Sequence, residues 1–178
     1  MNCPRTLSAR DERISINIMR ARCMQLLKEE FGNFFYGGFV HSKYALDNFH
    51  DVVLPDKRTS EKQTYTGLVR QYPICIATTG LYGSIGFKMA EYIAFSKAIV
   101  SERLNYSVPG GFNRGKNYLD FTTPEECVDQ AVRLFNDRQM QAQMMQDNWQ
   151  YYESFLRPDR LIWRTLKVGL TQPSQLEG

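Results

Sequence analysis

Metal-binding spacings, long apolar runs and blocks of one charge are all missing from this chain. Its 178 residues include two histidines, His41 and His50, and four cysteines set far apart. No C-x-x-C, H-x-x-x-H or H-x-E occurs, so the spacings of zinc and thioredoxin-type sites are absent and no metal site is expected. No D-x-D occurs, which removes the usual carboxylate clamp for a sugar-nucleotide metal ion. Neither G-x-x-x-x-G-K-[ST] nor G-x-G-x-x-G is present. No stretch approaches the ~20 apolar residues of a membrane span, and MNCPRTLSARDER at the start holds no apolar signal core. The net charge of +3 is small and its Lys and Arg are dispersed, which gives no argument for a nucleic-acid partner.

What remains has the composition of an ordinary globular domain, 43% apolar and 23% charged. The length suits one domain with a proper core. Cys23, Cys75 and Cys127 fall in apolar segments and read as reduced core thiols of a cytoplasmic protein.

Helical periodicity runs over 11–31 through Ile16, Met19, Cys23, Leu26 and Leu27, and Gly32-Asn33 stops it. Residues 34–40 read as a strand weakened by Gly37 and Gly38. One short helical turn within 41–51 and a short strand over 52–54 follow. Ser60 is expected to cap a helix running to about residue 71. Later, Thr123-Pro124-Glu125-Glu126 is a strong helix start. Val128, Ala131, Val132 and Phe135 make the expected apolar face of that helix. A Met- and Gln-rich helix spans about 137–155, and Pro158 opens a last one carrying Leu161, Ile162 and Leu166. The tail from Gly169 is expected to fray.

The most informative stretch is 73–102. Ile74 to Ala77 is an apolar run, 78–83 a Thr/Gly-rich turn, Ser84 the expected start of an amphipathic helix, and Ala98 to Val100 a second apolar run. Strand, turn, helix and strand in this order build a parallel sheet. The alternation along the whole chain predicts a three-layer α/β domain with ligands beyond the carboxyl ends of the strands. A second Gly-rich loop, 109–115, leads to a strand over 117–121.

Gly80 and Gly83 let main chain approach an anion, Ser84 offers a hydroxyl, and Lys88 stands in the first helical turn. A cation there is poorly placed for the helix dipole and well placed for a bound phosphate. The same residues also make an ordinary tight turn with a solvated lysine. Glu91, seven residues past Ser84 and three past Lys88, is suited to ribose hydroxyls or to a plain intrahelical pair with Lys88. Glu102 follows its strand, where it reaches the same crevice or lies on the surface, and His41, at the end of the first strand, is a weak base candidate or a plain loop residue.

The segment from Tyr72 to Phe121 carries Thr78-Thr79-Gly80, Gly83-Ser84, Lys88-x-x-Glu91-Tyr92-x-Ala94 and Gly115-Lys116-Asn117-Tyr118-Leu119-x-Phe121. With the Thr-Pro-Glu-Glu helix behind it, it resembles the C-terminal half of group 1 glycosyltransferases of the two-domain GT-B type. The resemblance spans most of residues 34–166. It implies a Rossmann-like domain (34–168) behind a helical lead-in (1–33) and before a flexible tail (169–178). It implies a nucleotide-diphosphate sugar as substrate, no metal, and an acceptor that the sequence does not name. An N-terminal acceptor domain or partner subunit would complete the enzyme. By position, Gly83 and Ser84 would meet the diphosphate with help from Lys88, and Glu91 would take the ribose. Where many group 1 enzymes carry the first glutamate of E-x7-E, this chain has Gly83. The alternative reading is a non-catalytic nucleotide-binding or interaction module.

Overall fold

A computed structural model describes residues 8–171. Cys3 and the tail beyond residue 171 lie outside the described residues. Helix α1 is Ala9–Phe31, α2 Lys43–Phe49, α3 Lys62–Gln71, α4 Phe87–Ala94, α5 Pro124–Asn136, α6 Arg138–Tyr151 and α7 Pro158–Thr171. Strands β1 (Ile74–Ala77), β2 (Ala98–Glu102) and β3 (Leu119–Phe121) form one parallel sheet in the order β1-β2-β3. Ile74 pairs with Ala98 and Val100 with Leu119. The protein is therefore α/β with a small parallel sheet.

Helices pack on both faces. One face of the sheet (Ala98, Val100, Leu119, Phe121) meets Cys23 and Leu27 of α1, Cys127, Ala131 and Leu134 of α5, and Met144 of α6. The other face (Cys75, Ala77, Ile99) meets Val69 of α3, Met89, Tyr92 and Ile93 of α4, and Phe112, Tyr118 and Tyr151. Alternation along each strand divides its side chains between the two faces. The burial of β2 on both faces explains its unbroken apolar run. Helix α1, the sequence's lead-in, is thus part of the core.

Local chemistry sets most boundaries. Ser8 accepts from the Asp11 N–H and caps α1, while Asp11 and Glu12 sit in its first turn. Thr123 accepts from the Glu126 N–H and caps α5, with Pro124 at its first position. The buried positions of α5 are Cys127, Ala131 and Leu134, with Val128 and Phe135 at the flank. Its inward face is therefore turned slightly from the expected stripe. Helix α6 ends at Tyr151 in a π turn, Tyr152–Leu156. Helix α7 continues through Gly169 to Thr171, past the expected fraying point.

Three expectations are corrected. Residues 34–40 form no strand: only Phe39 pairs, in an isolated parallel bridge to Val53, and 52–54 contributes nothing more. Gly38 lies so close to the Val52 carbonyl that there is no room for a side chain, while Phe31 and Phe34 turn onto Phe135. Ser60 caps nothing. It belongs to the 3-10 turn Lys57–Ser60, its hydroxyl donates to the Lys57 carbonyl, and α3 starts after Glu61 without a side-chain cap. Ser84 does not open α4, whose N-cap is Gly86.

Among the described residues, no helix is long and apolar enough to cross a membrane.

Candidate functional site

The carboxyl ends of β1 and β2 meet the start of α4 at one corner, and α1 closes it from the side. Residues 78–86 form that corner. A 3-10 turn, Leu81–Gly83, holds Tyr82 at φ +57 and Gly83 at φ +66. The backbone angle favours glycine at Gly83, and a Cβ there would have to push aside the side-chain amide of exposed Asn105. The turn uses up three residues before α4 can begin, and for this reason Ser84 falls outside the helix in extended backbone.

The turn's N–H groups are largely satisfied. Gly80 N–H donates to the Ser84 carbonyl (2.8 Å), Gly83 N–H to Gly80 (3.1 Å) and Ser84 N–H to Leu81 (3.1 Å). The N–H and the hydroxyl of Thr79 both donate to Glu102 Oε2, at 2.9 and 2.8 Å. The Tyr82 N–H donates to Glu12 Oε1 at 2.6 Å. Glu102, the last residue of β2, therefore reaches the crevice, one of the two placements its position allows.

Arg20 of α1 is the cation behind the turn. Its Nε donates to Thr78 Oγ1 and its Nη2 to the Thr79 carbonyl, both at 2.9 Å. Burial pushes the guanidinium below its ordinary pKa, and the Glu102 carboxylate pushes back. Sequence reasoning passed over Arg20, although the signal was there. It stands three residues before Cys23 and seven before Leu27, on the buried stripe of α1. An arginine on that stripe needs a partner.

Lys88 sits in the first turn of α4, remains exposed, and lines a cavity of about 10 Å³ with Thr78, Thr79, Ile85, Ser101 and Leu104. That is room for about one water. Desolvation and the field of Arg20 push the Lys88 ammonium below its usual pKa, and Glu91 works the other way. Among the described residues Lys88 forms no salt bridge: the carboxylate of Glu91 is engaged by Lys62 of α3 instead. Partial burial opposes the charge on Glu91, but Lys62, the Tyr65 hydroxyl and the field of Lys88 together prevail and hold it below the usual carboxylate range. Because Ser84 precedes the helix, Lys88 and Glu91 share helical spacing with each other and not with Ser84.

The remaining candidates lie apart from this chemistry. No strand carries His41, whose Nε2 is buried without a hydrogen-bond partner. Burial pushes the Cys75 thiol up to about 12, so it is no nucleophile at neutral pH. Among the described residues no group of three or more His, Cys, Asp or Glu side chains is arranged to hold a metal ion.

No family model matches the chain, and no curated protein or solved structure does.

Proposed function

We propose that this corner binds the diphosphate of a nucleotide-sugar donor, and that the chain is the donor-binding, Rossmann-like half of a GT-B type glycosyltransferase. The observation that carries the reading is the pair of cations, Arg20 and Lys88, set around Thr78 and Thr79 at the carboxyl ends of two parallel strands. Lys88 has no salt-bridge partner among the described residues, and its pKa is depressed by its surroundings. An anion delivered there relieves both. The first N–H groups of α4, at Phe87 and Lys88, have no acceptor within the helix and add donors of the right sign. Ser84, exposed and three residues before Phe87 in the chain, holds its hydroxyl against Gly80. Gly80 and Gly83 shape the turn. Glu91 would meet the ribose while sharing its charge with Lys62. The reaction is transfer of the sugar to an acceptor hydroxyl, with the departing diphosphate neutralised by these donors. No metal is required by this scheme. The acceptor would come with an N-terminal domain or partner subunit.

A second reading, a nucleotide-binding or interaction module without catalysis, draws on the turn's donors being already taken by Glu102, Glu12 and the turn's own carbonyls.

The test is a thermal-shift panel of UDP, GDP, ADP and CMP with the full chain and with Lys88→Gln and Glu91→Ala. A true ligand at 100 times its Kd adds about 2.7 kcal/mol of stability. The expected result is one stabilising nucleoside diphosphate whose effect falls in both variants. No stabilisation by any of the four overturns the reading. Sugar transfer or donor hydrolysis by the chain separates the enzyme from the non-catalytic module.

A further inference from the structure

We infer that Glu102 and Glu12 are internal stand-ins for the ligand's anionic oxygens: in the free protein they fill the turn's oxyanion positions, and a phosphorylated ligand enters by displacing them. This rests on reading the corner as a diphosphate site.

Three observations support it. Thr79 directs two donors, its N–H and its hydroxyl, onto a single oxygen of Glu102 at 2.9 and 2.8 Å. Tyr82 directs its N–H onto an oxygen of Glu12 at 2.6 Å. These are the distances and donor types with which proteins hold phosphate oxygens. The carboxylates also come from two separate elements, 23 and 70 residues away along the chain from the N–H groups they bind. They are therefore delivered to the turn by the tertiary fold and are no part of the turn's own geometry. Finally, the charges are arranged as they would be around a bound anion. Arg20 holds Thr78 and the Thr79 carbonyl from behind, and Glu102 is the carboxylate whose field supports its charge. Removing Glu102 leaves a half-buried guanidinium and two convergent donors without a counter-anion, which is a demand for an external one.

Two carboxylates acting only as staples would look alike in the free protein, so the experiment measures affinity and not stability. Binding of inorganic pyrophosphate to the full chain is followed by calorimetry for the native sequence, Glu102→Ala, Glu102→Gln and Glu12→Ala. The expected result is that both Glu102 variants bind pyrophosphate about tenfold or more tightly than the native chain. Acetate should compete with pyrophosphate in Glu102→Ala and not in the native chain. Should Glu102→Ala fail to fold, Glu102→Gln and Glu12→Ala carry the same comparison. Unchanged or weaker pyrophosphate binding in folded variants overturns the inference. If the native chain binds a nucleoside diphosphate through Lys88 and the Glu102 variants bind it no better, the inference falls and the donor reading stands. If the variants gain pyrophosphate while no protein binds a nucleoside diphosphate, the donor reading falls and the inference stands. No binding of either by any protein overturns both.

Discussion

Asn117 and Asn148 are hydrogen-bonded to each other in the protein interior: Asn117 Nδ2 donates to Asn148 Oδ1 at 3.0 Å. Asn148, fully buried on α6, also donates through Nδ2 to the main-chain carbonyls of Lys97 (2.7 Å) and Asn117 (2.9 Å). Asn117 Oδ1 in turn accepts from the Asn113 N–H at 2.9 Å. One side chain thus ties α6 to the start of β2 and to the Gly-rich loop. Asn148→Ala strands two carbonyls and an amide away from water, at about 1–3 kcal/mol for each group left unmade. A loss of about 3 kcal/mol or more in urea unfolding is expected. A loss below about 1 kcal/mol would show that water replaces the side chain.

Gly110 gives a second, purely steric prediction. It sits at φ +84, and a Cβ there would lie 2.3 Å from the Phe155 ring, which stacks on Tyr151 and carries Arg164 over its face. Gly110→Ala combines backbone strain with overpacking, a loss of about 2–4 kcal/mol. The melting temperature reports it directly.

Thr123 and Ser84 separate a real cap from an apparent one. Thr123→Ala removes the acceptor of the Glu126 N–H and costs about 1 kcal/mol. Ser84→Ala stays within about 0.5 kcal/mol, because no helix begins there. Equal losses in the two variants would contradict the boundary of α4.

Asp120 sets part of the acid limb of stability. Burial raises its pKa, but the bonds from Arg103 (2.9 Å) and Arg114 (3.2 Å) prevail and hold it below the usual value. For a depressed carboxylate the stabilisation is complete above the unfolded-state pKa of about 3.9, and it is lost as pH falls through the lower folded value. Asp120→Asn is therefore less stable than the native chain at neutral pH, and the gap narrows on acidification below about pH 4. Urea midpoints across that range read the difference. A gap that is constant with pH rules out the titration.

The elements legible in the sequence are those fixed by local chemistry. Cys23 and Leu27 mark the buried stripe of α1, the 74–77 and 98–100 runs mark two strands, and Thr123-Pro124 marks a helix start. The failures come where tertiary geometry overrides local preference. Residues 34–40 find no neighbouring strand: only Phe39 pairs, through its N–H to the Val52 carbonyl, in the bridge to Val53. Ser84 has the chemistry of a cap, but Tyr82 and Gly83 in left-handed backbone delay the helix to Phe87. At the site, Lys88 and Glu102 were within reach because each is adjacent to its element's end. Arg20 is marked by its place on the buried stripe of α1 but not its partner, 58 residues away, and Glu12 is not marked at all, its partner lying 70 residues away.

That separation has a kinetic meaning. Joining Arg20 to Thr78 closes a loop of 58 residues, an entropic cost of roughly 4 kcal/mol beyond the constant term. The strands and the α4 crossover between them need only neighbouring chain. Helix α1 is secured chiefly by distant partners, with the Gln25–Asp51 bond a nearer one, so the corner where an anion would lodge is completed only when loops of 58 and 70 residues have closed.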